Sequence, residues 1–598
     1  MPTRPRSFFT LPASLLALAL LPALSLAQDQ RIGWIVIDGP IAERPEPLAW
    51  LMGPAAAPTL RQMTATIEDA ARRADVPALV LHLKDFQGDL SQVLALGTAM
   101  DKVRDAGKRV HLFSENYGPM ELLLGASADE VIMQAGGMVS FPGLYSEEMY
   151  LADTLKLVGL EADMVQIGDY KGAADQMARS TAGPEWSANI DALLDDLWAQ
   201  MCERLRQGRR LNEAQWKQVL DRGWSADSQL AIELGLVDAA IDVVELKDHV
   251  AAAAGTSRFT QDLGPDAGEP GIDMANPLAV FAMLMREPDH TPRRSTIAVV
   301  HIDGPIVDGE SADAGFFGGS TVGSRTIREA LYEIEKEDLV KGVVVRIDSP
   351  GGSAIASEII WQGLRRVAEK KPVFVSVGSM AASGGYYIAV GADRIFVDPA
   401  SIVGSIGVVG GKIVMGGLLD KIDVGITPRA RGPRAALMSS TEPWSEADRA
   451  LIRAEMQNIY DLFTKRVAQG RGSRIDLAKI AEGRLFTGRQ SIANGMADGI
   501  RNFDETIGLL ASEVGLDEGE YDVMTWPGPR SLTEMLESMM PMLAAPSMRI
   551  AGPIAAVEAV RALVGEAAWE SMRDALNALM LLRDRRVLLI APRAIIVK

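Results

Sequence analysis

Short runs of apolar, often β-branched residues alternate along this chain with stretches in which apolar residues recur every three or four positions. Ala78–Leu83 (ALVLHL), Arg109–Phe113 (RVHLF) and Glu130–Met133 (EVIM) read as strands. So do Gly342–Ile347 (GVVVRI), Pro372–Val377 (PVFVSV) and Arg394–Val397 (RIFV). Because these runs are apolar almost throughout instead of alternating, they predict sheets covered on both faces. Between two of them, Ser357–Lys370 (SEIIWQGLRRVAEK) has apolar residues at helical spacing and predicts a crossover helix between parallel strands. The pattern is that of an α/β fold built from repeated ββα-like turns.

The pattern also occurs twice. Arg31–Ile41 (RIGWIVIDGPI) returns as Thr296–Ile306 (TIAVVHIDGPI), so that Asp38 answers to Asp303, 265 residues on. Val76–Gly88 returns as Val340–Gly352 at an offset of 264, and Ala128 answers to Ala392 at the same offset. Further on, Gly235 in AIELGLVD answers to Gly495 in SIANGMAD, 260 residues later. Four blocks in order at nearly one offset identify a tandem duplication. The expected division is an N-terminal domain over 28–255, a linker over 256–292, a C-terminal domain over 293–525 and an extension over 526–598. The linker assignment rests on the Gly, Pro and Asp content of Thr256–Pro277. The extension is methionine-rich (SLTEMLESMMPMLAAP, WESMRDALNALMLL), is expected to be helical, and ends in an apolar stretch expected to form a terminal strand. Its methionines fit either adaptable core packing or an apolar surface facing hydrophobic peptides or a bilayer.

Length agrees with this picture, since 598 residues exceed a single core. A formal charge of −19 supplies no basic face for phosphates and argues against nucleic acid as a partner. The single cysteine, Cys202, cannot form an intramolecular disulfide, and the five histidines show no metal-ligand spacing. No metal or other cofactor is expected. At the N-terminus, Arg4 and Arg6 precede the apolar run Leu11–Leu24, and Ser25-Leu26-Ala27 offers small residues for cleavage before Gln28. Residues 1–27 therefore read as a signal peptide or an N-terminal anchor, and the body of the chain as exported.

Superposing the halves shows what each has kept. Ser383, in MAASGGYY, falls opposite Pro119, so the first half lacks this hydroxyl. The turn Asp348–Ser353 (DSPGGS) offers glycine N–H groups of the kind that bind an oxyanion, whereas the first half has only Gly88 there. Conversely, Lys171 in GDYKGAAD falls on Ala435, beside Arg434. Arginine, always protonated, cannot replace a basic lysine. One half thus holds a candidate base without a nucleophile and the other a nucleophile without a base, which points to one composite site.

These motifs, with VGSIGVVGG from Val403, resemble those of the signal peptide peptidase A family, also called protease IV, in its long tandem form. The resemblance spans about Arg31 to Gly508. It implies a duplicated domain similar to the Clp protease subunit and to crotonase, and a Ser/Lys serine endopeptidase that degrades released signal peptides and other hydrophobic peptides. It further implies Ser383 as nucleophile, Lys171 as general base and Ser405 as the group that orients the lysine. Gly351 or Gly352, together with Gly384, would bind the oxyanion. A homotetramer with sites facing an enclosed space is implied as well, on the periplasmic side of the inner membrane. Whether Lys171 meets Ser383 in one chain or across a neighbour is left open by the sequence. The competing reading is an exported scaffold that binds hydrophobic peptides without cutting them.

Overall fold

Each apolar run forms a strand in the computed structural model, which describes residues 30–45, 58–264, 290–312, 320–429, 434, 436–528 and 587–590. The first half folds around a parallel sheet of six strands. Its order is Ala239–Ala240, Glu130–Met133, Arg109–Ser114, Ala78–Gln87, Ile32–Pro40 and Phe259–Thr260. The second half repeats it with Val373–Ala382, Val340–Ser349, Thr296–Asp303 and Asp522–Trp526 side by side and parallel. Arg394–Val397 pairs with Val373–Ala382 from the other side of its length. Helices cover the sheets through regular apolar stripes. Ser324–Lys336 buries Ile327, Ala330, Leu331 and Ile334, and its counterpart Leu60–Arg72 buries Leu60, Met63, Ile67 and Ala70. The first-half helix is fastened by a capping box between Thr59 and Gln62.

The duplication runs further than the sequence pattern indicates. Phe259–Thr260, within the stretch read as a linker, is an edge strand paired with Ile32 and Gly33. Val523, 264 residues on, pairs with Ile297 in the same way. Two residues are too few for periodicity to register, and the edge position needs only one neighbour. Residues 265–289, the N-terminal segment 1–29 and most of the Met-rich extension lie outside the described residues. Among the described residues no helix is long and apolar enough to cross a membrane.

Among the contacts that bind the halves together, three set their arrangement near the sheets. Helix Pro184–Gly208, from the first half, inserts Trp186, Ile190, Leu193 and Leu197 against Met380, Ala382, Ala400, Ile402 and Leu485 of the second. Each Leu, Ile or Met side chain buried there contributes roughly 1.5–3 kcal/mol. Strand Glu161–Ile167 pairs antiparallel with Val408–Val414 over its whole length, from Val408 opposite Ile167 to Val414 opposite Glu161. Finally, Glu43 lies 2.9 Å from the Nε of buried Arg346, and Gln92 donates to the same carboxylate at 3.0 Å. Burial alone would raise the Glu43 carboxyl, but the Arg346 guanidinium outweighs it and leaves Glu43 below the usual carboxylate range.

Glu43→Gln should therefore cost about 3–5 kcal/mol in denaturant unfolding near neutral pH, because the buried Arg346 guanidinium loses the carboxylate that faces its Nε. A carboxylate with a depressed pKa stabilises the fold above its unfolded pKa, and that contribution disappears as pH falls through the folded value. The gap between variant and parent should accordingly narrow in acid; a gap that stays constant would show that the ion pair is not its source.

Candidate active site

Strand Val373–Ala382 ends where the chain turns abruptly into helix Gly384–Ala389. The residue at the turn is Ser383, with φ of 52°, a conformation that L-residues with a side chain seldom adopt and that costs of order 1–3 kcal/mol. Small neighbours are a steric requirement here. A Cβ on Gly384 would lie 2.5 Å from Ser357 Oγ, and one on Gly385 would lie 3.0 Å from the Ser349 carbonyl oxygen. The amide of Ser383 donates to the Gly404 carbonyl at 2.8 Å, which ties this turn to strand Ile402–Gly404. One residue beyond that strand is Ser405, also at positive φ (54°), with its N–H donated to Arg484 O at 2.6 Å.

Lys171 reaches this turn from the other half. Its strand, Glu161–Ile167, is held along Val408–Val414, and four residues later the lysine enters the space between Ser383 and Ser405. Nζ lies 2.7 Å from Ser383 Oγ, 2.9 Å from Ser405 Oγ and 2.9 Å from the Ser405 carbonyl oxygen. All three side chains are buried, Lys171 to 1% exposure. Burial pushes the lysine pKa well below its usual range. A neutral amine in this position has a lone pair for the serine proton and two N–H groups for the two Ser405 oxygens.

The glycines of DSPGGS are differentiated by their bonds. The Gly351 amide donates to Ser349 Oγ at 3.1 Å. Gly352, at φ of 157°, lies against Ile306, where any side chain would overlap the backbone. Both face helix Gly384–Ala389, since a Cβ on Gly384 would lie 3.2 Å from Gly351 Cα and 3.2 Å from Gly352 N. With the Gly351 amide occupied, Gly352 and Gly384 remain as the candidate oxyanion donors. In the first half, the matching helix Pro119–Gly125 opens on Gly118 and Pro119, with no hydroxyl at the turn.

A family model described as peptidase family S49 matches residues 102–257 and 365–517, one segment in each half. The chain belongs to peptidase family S49. It is similar to Protease 4 of Haemophilus influenzae, at 31% identity over 74% of this chain and 71% of that protein. Protease 4 of Salmonella typhi is 28% identical over 79% of this chain and 75% of its own. A solved membrane-bound stomatin-specific protease, in a mutant form with a substrate peptide, matches with a TM-score of 0.25 and 18% identity over 42% of this chain and 98% of its own. The protein is thus a serine peptidase of the signal peptide peptidase family. Its first matched segment contains Lys171, and its second contains Ser383 and Ser405.

The peptidase also uses a segment that the sequence reading passed over, Ala481–Leu485. Tyr170 donates its amide to Glu482 O at 2.9 Å, and Arg484 lies over the Tyr170 ring at 3.9 Å while its carbonyl accepts from Ser405. Gly483, at φ of 89°, packs so closely that a Cβ would lie 2.6 Å from the Lys171 backbone. Both the lysine and the serine that contacts it are therefore held by three consecutive residues. The available signal was a glycine between opposite charges, Glu482-Gly483-Arg484, just before the capping Thr487; it has no chemistry of its own to draw notice. On the other side, Gly172 packs against the Trp186 ring, whose Nε1 donates to Glu148 at 2.6 Å.

Gly483→Ala should displace Lys171 while leaving the sheets intact. A displacement near 1 Å can cost about a hundredfold in rate, so kcat should fall by about that factor with the far-ultraviolet circular dichroism unchanged; unchanged kcat would show that the contact does not position the lysine. The charge state of Lys171 can be read separately. Its depressed pKa means that the unfolded chain binds the extra proton, so the cost of burial is largest below the folded pKa and is gone above about 10.4. The melting temperature of Lys171→Met minus that of the parent should therefore increase steadily as pH is lowered from about 10 to 7.

Proposed function

We propose that the protein is a Ser/Lys-dyad endopeptidase in which Lys171, Ser383 and Ser405 act within one chain on hydrophobic peptides. The observation that carries this reading is the 2.7 Å approach of a desolvated lysine nitrogen to a strained serine oxygen. A serine hydroxyl becomes a competent nucleophile when a base accepts its proton. Lys171 Nζ takes the proton from Ser383 Oγ as the oxygen bonds to the scissile carbonyl carbon. Negative charge then collects on the carbonyl oxygen, where the amides of Gly352 and Gly384 would meet it. The carbon–nitrogen bond breaks as the leaving amine takes the proton from Lys171, giving an ester on Ser383. Water repeats the sequence: Lys171 accepts its proton, the ester breaks, and the proton returns to Ser383 Oγ. Ser405 Oγ and its carbonyl oxygen keep the amine aimed at Ser383 in every step.

Released signal peptides are the substrate class in this reading, with action on the periplasmic side of the inner membrane, anchored or peripheral. The support is the basic, apolar and small-residue order of the first 27 residues, together with the small side chains around the nucleophile. Self-assembly, as a homotetramer, belongs to the same reading. Leu157 is 77% exposed and Ile422 59%, and they sit on adjoining segments joined by a Lys421–Leu157 contact, an apolar surface a second copy would cover.

A fluorophosphonate probe should label the parent and fail to label Ser383→Ala, and peptide turnover should fall at least about a thousandfold in Ser383→Ala and in Lys171→Ala. Labelling that survives loss of Ser383, or undiminished turnover without Lys171, would overturn the assignment. Mixing the two variants should restore nothing, since both groups come from one chain. In the parent, kcat/KM should rise with pH as Lys171 loses its proton, with the limb displaced well below the ordinary lysine range.

A further inference from the structure

Strand Val373–Ala382, which leads into Ser383, is irregular near its end. It pairs with Val340–Ser349 in simple register from Val373 to Val377, with Arg346 opposite Ser376 and Ile347 opposite Val377. The next pair joins Ser349 to Ala381, so Asp348 alone spans Gly378, Ser379 and Met380. These residues form a bulge, the kind of irregularity that re-aims a strand beside an active site. Two side chains of the facing strand hold it. The Arg346 guanidinium donates from Nη1 to Ser376 Oγ at 3.1 Å and to Val377 O at 3.2 Å, and the Asp348 carboxylate accepts the Ser379 amide at 3.2 Å. Gly378 lies between them, since a Cβ there would be 3.1 Å from both Arg346 Nη2 and Asp348 Oδ2. Arg346 also donates its Nε to Glu43 of the first half.

The first half shows that the fold does not need this charge. At the offset of 264, His82 stands where Arg346 does and Lys84 where Asp348 does. His82 pairs with Phe113 as Arg346 pairs with Ser376. Its ring meets those of Phe113 and Trp34 edge-on, at centroid distances of 5.0 and 5.9 Å. Burial lowers the His82 pKa, so this place is filled without charge. The strand there, Arg109–Ser114, ends opposite Leu83, the counterpart of Ile347, before any bulge. Taking a guanidinium out of water is costly, and a sheet of the same design folds without one. The charge is kept only in the half that carries the nucleophile. We propose that Arg346, with Asp348, is a positioning residue for Ser383: it fixes the bulge Gly378–Met380 and, through it, the direction in which the strand delivers the serine. The proposal rests on the reading of Ser383 as nucleophile and adds to it what aims that residue. Arg346 acts through the strand and not on the reacting atoms. Because Glu43 belongs to the first half, docking of the halves sets the nucleophile through Arg346, as it sets the base through Glu161–Ile167.

The test uses full-length chains. Arg346→Lys keeps a cation beside Glu43 but lacks the planar fork that reaches Glu43, Ser376 and Val377 together. With an apolar fluorogenic peptide its kcat should fall about a hundredfold, as for a displacement near 1 Å, with KM within about twofold of the parent. The rate of fluorophosphonate labelling should fall in parallel. The pH limb of kcat/KM should stay in place, because Lys171 is held by other segments. Ser376→Ala is the milder second variant and removes one of the two bonds to the strand; its kcat should fall about tenfold with KM again unchanged. Unchanged kcat in either folded variant, a loss confined to KM, or a displaced pH limb would overturn the proposal. Ile67→Ala, in the first-half core, controls for lost stability. Its kcat should match the parent's; a loss equal to that of Arg346→Lys would assign the effect to stability and overturn the positioning role. Turnover that persists in Ser383→Ala would sink the nucleophile reading itself. An inactive Ser383→Ala beside a fully active Arg346→Lys would sink the positioning role alone.

Discussion

Everything at the active site depends on the antiparallel pairing of Glu161–Ile167 with Val408–Val414. Among the described residues it is the one place where a strand from the first half is woven into a sheet of the second. A ladder fixes register in steps of one residue, and a slip of one step turns every side chain to the opposite face. Lys171, four residues past the end of that strand, inherits this register. The lysine needs no interaction of its own to find Ser383; the ladder brings it there, and the Glu482–Arg484 segment limits where it can settle. Asp163 strengthens the attachment from the far side by accepting the Trp444 amide at 2.6 Å and pairing with Arg449.

The chemistry follows from what this arrangement excludes. Lysine in water is protonated near neutral pH and cannot accept a proton from serine. At the junction of the halves it is packed by Gly407, Gly483 and, through Gly172, the indole of Trp186. Burial is the cause of its lowered pKa. The cost of keeping a basic amine dry falls on the fold, and the apolar interface around Trp186, Ile190, Leu193 and Leu197 contributes stability in the same region. The strained φ at Ser383 and Ser405 belongs to the same balance, since each is held by a backbone bond to a neighbouring segment. Local strain persists where surrounding structure over-determines it.

Much of this was readable from the residues. The strands Glu130–Met133 and Arg394–Val397 appear with the limits that their apolar runs suggest, because buried parallel strands carry a continuous signal. The duplication, and the complementary loss of hydroxyl and lysine, were legible because the two halves could be compared with each other. What escaped was the support. Phe259–Thr260 and Gly351–Ser353 are too short for a period, and their strand character comes from neighbours far away in sequence. The role of Gly483 depends on a packing distance that no local pattern encodes. The question of one chain or two was likewise closed to the sequence, because linear order does not say which copy supplies the lysine; the geometry brings Lys171 and Ser383 together in one.

Strand Val408–Val414 has two edges, and both are in use at the same residues. Val409 faces Gln166 on one side and Leu588 on the other, and Gly410 faces Val165 and Val587. The first edge sets the position of Lys171, and the second pairs with Val587–Ile590, which in turn pairs with Gly351–Ser353. Pairing on the second edge completes the hydrogen bonding of the strand that aligns Lys171. Both edges thereby act on the lysine through a single strand. An edge with an unpaired partner is freer to twist than one bonded on both sides, and a lysine 2.7 Å from its serine is sensitive to small displacements. The position of Lys171 is consequently best defined when both edges of strand Val408–Val414 are paired.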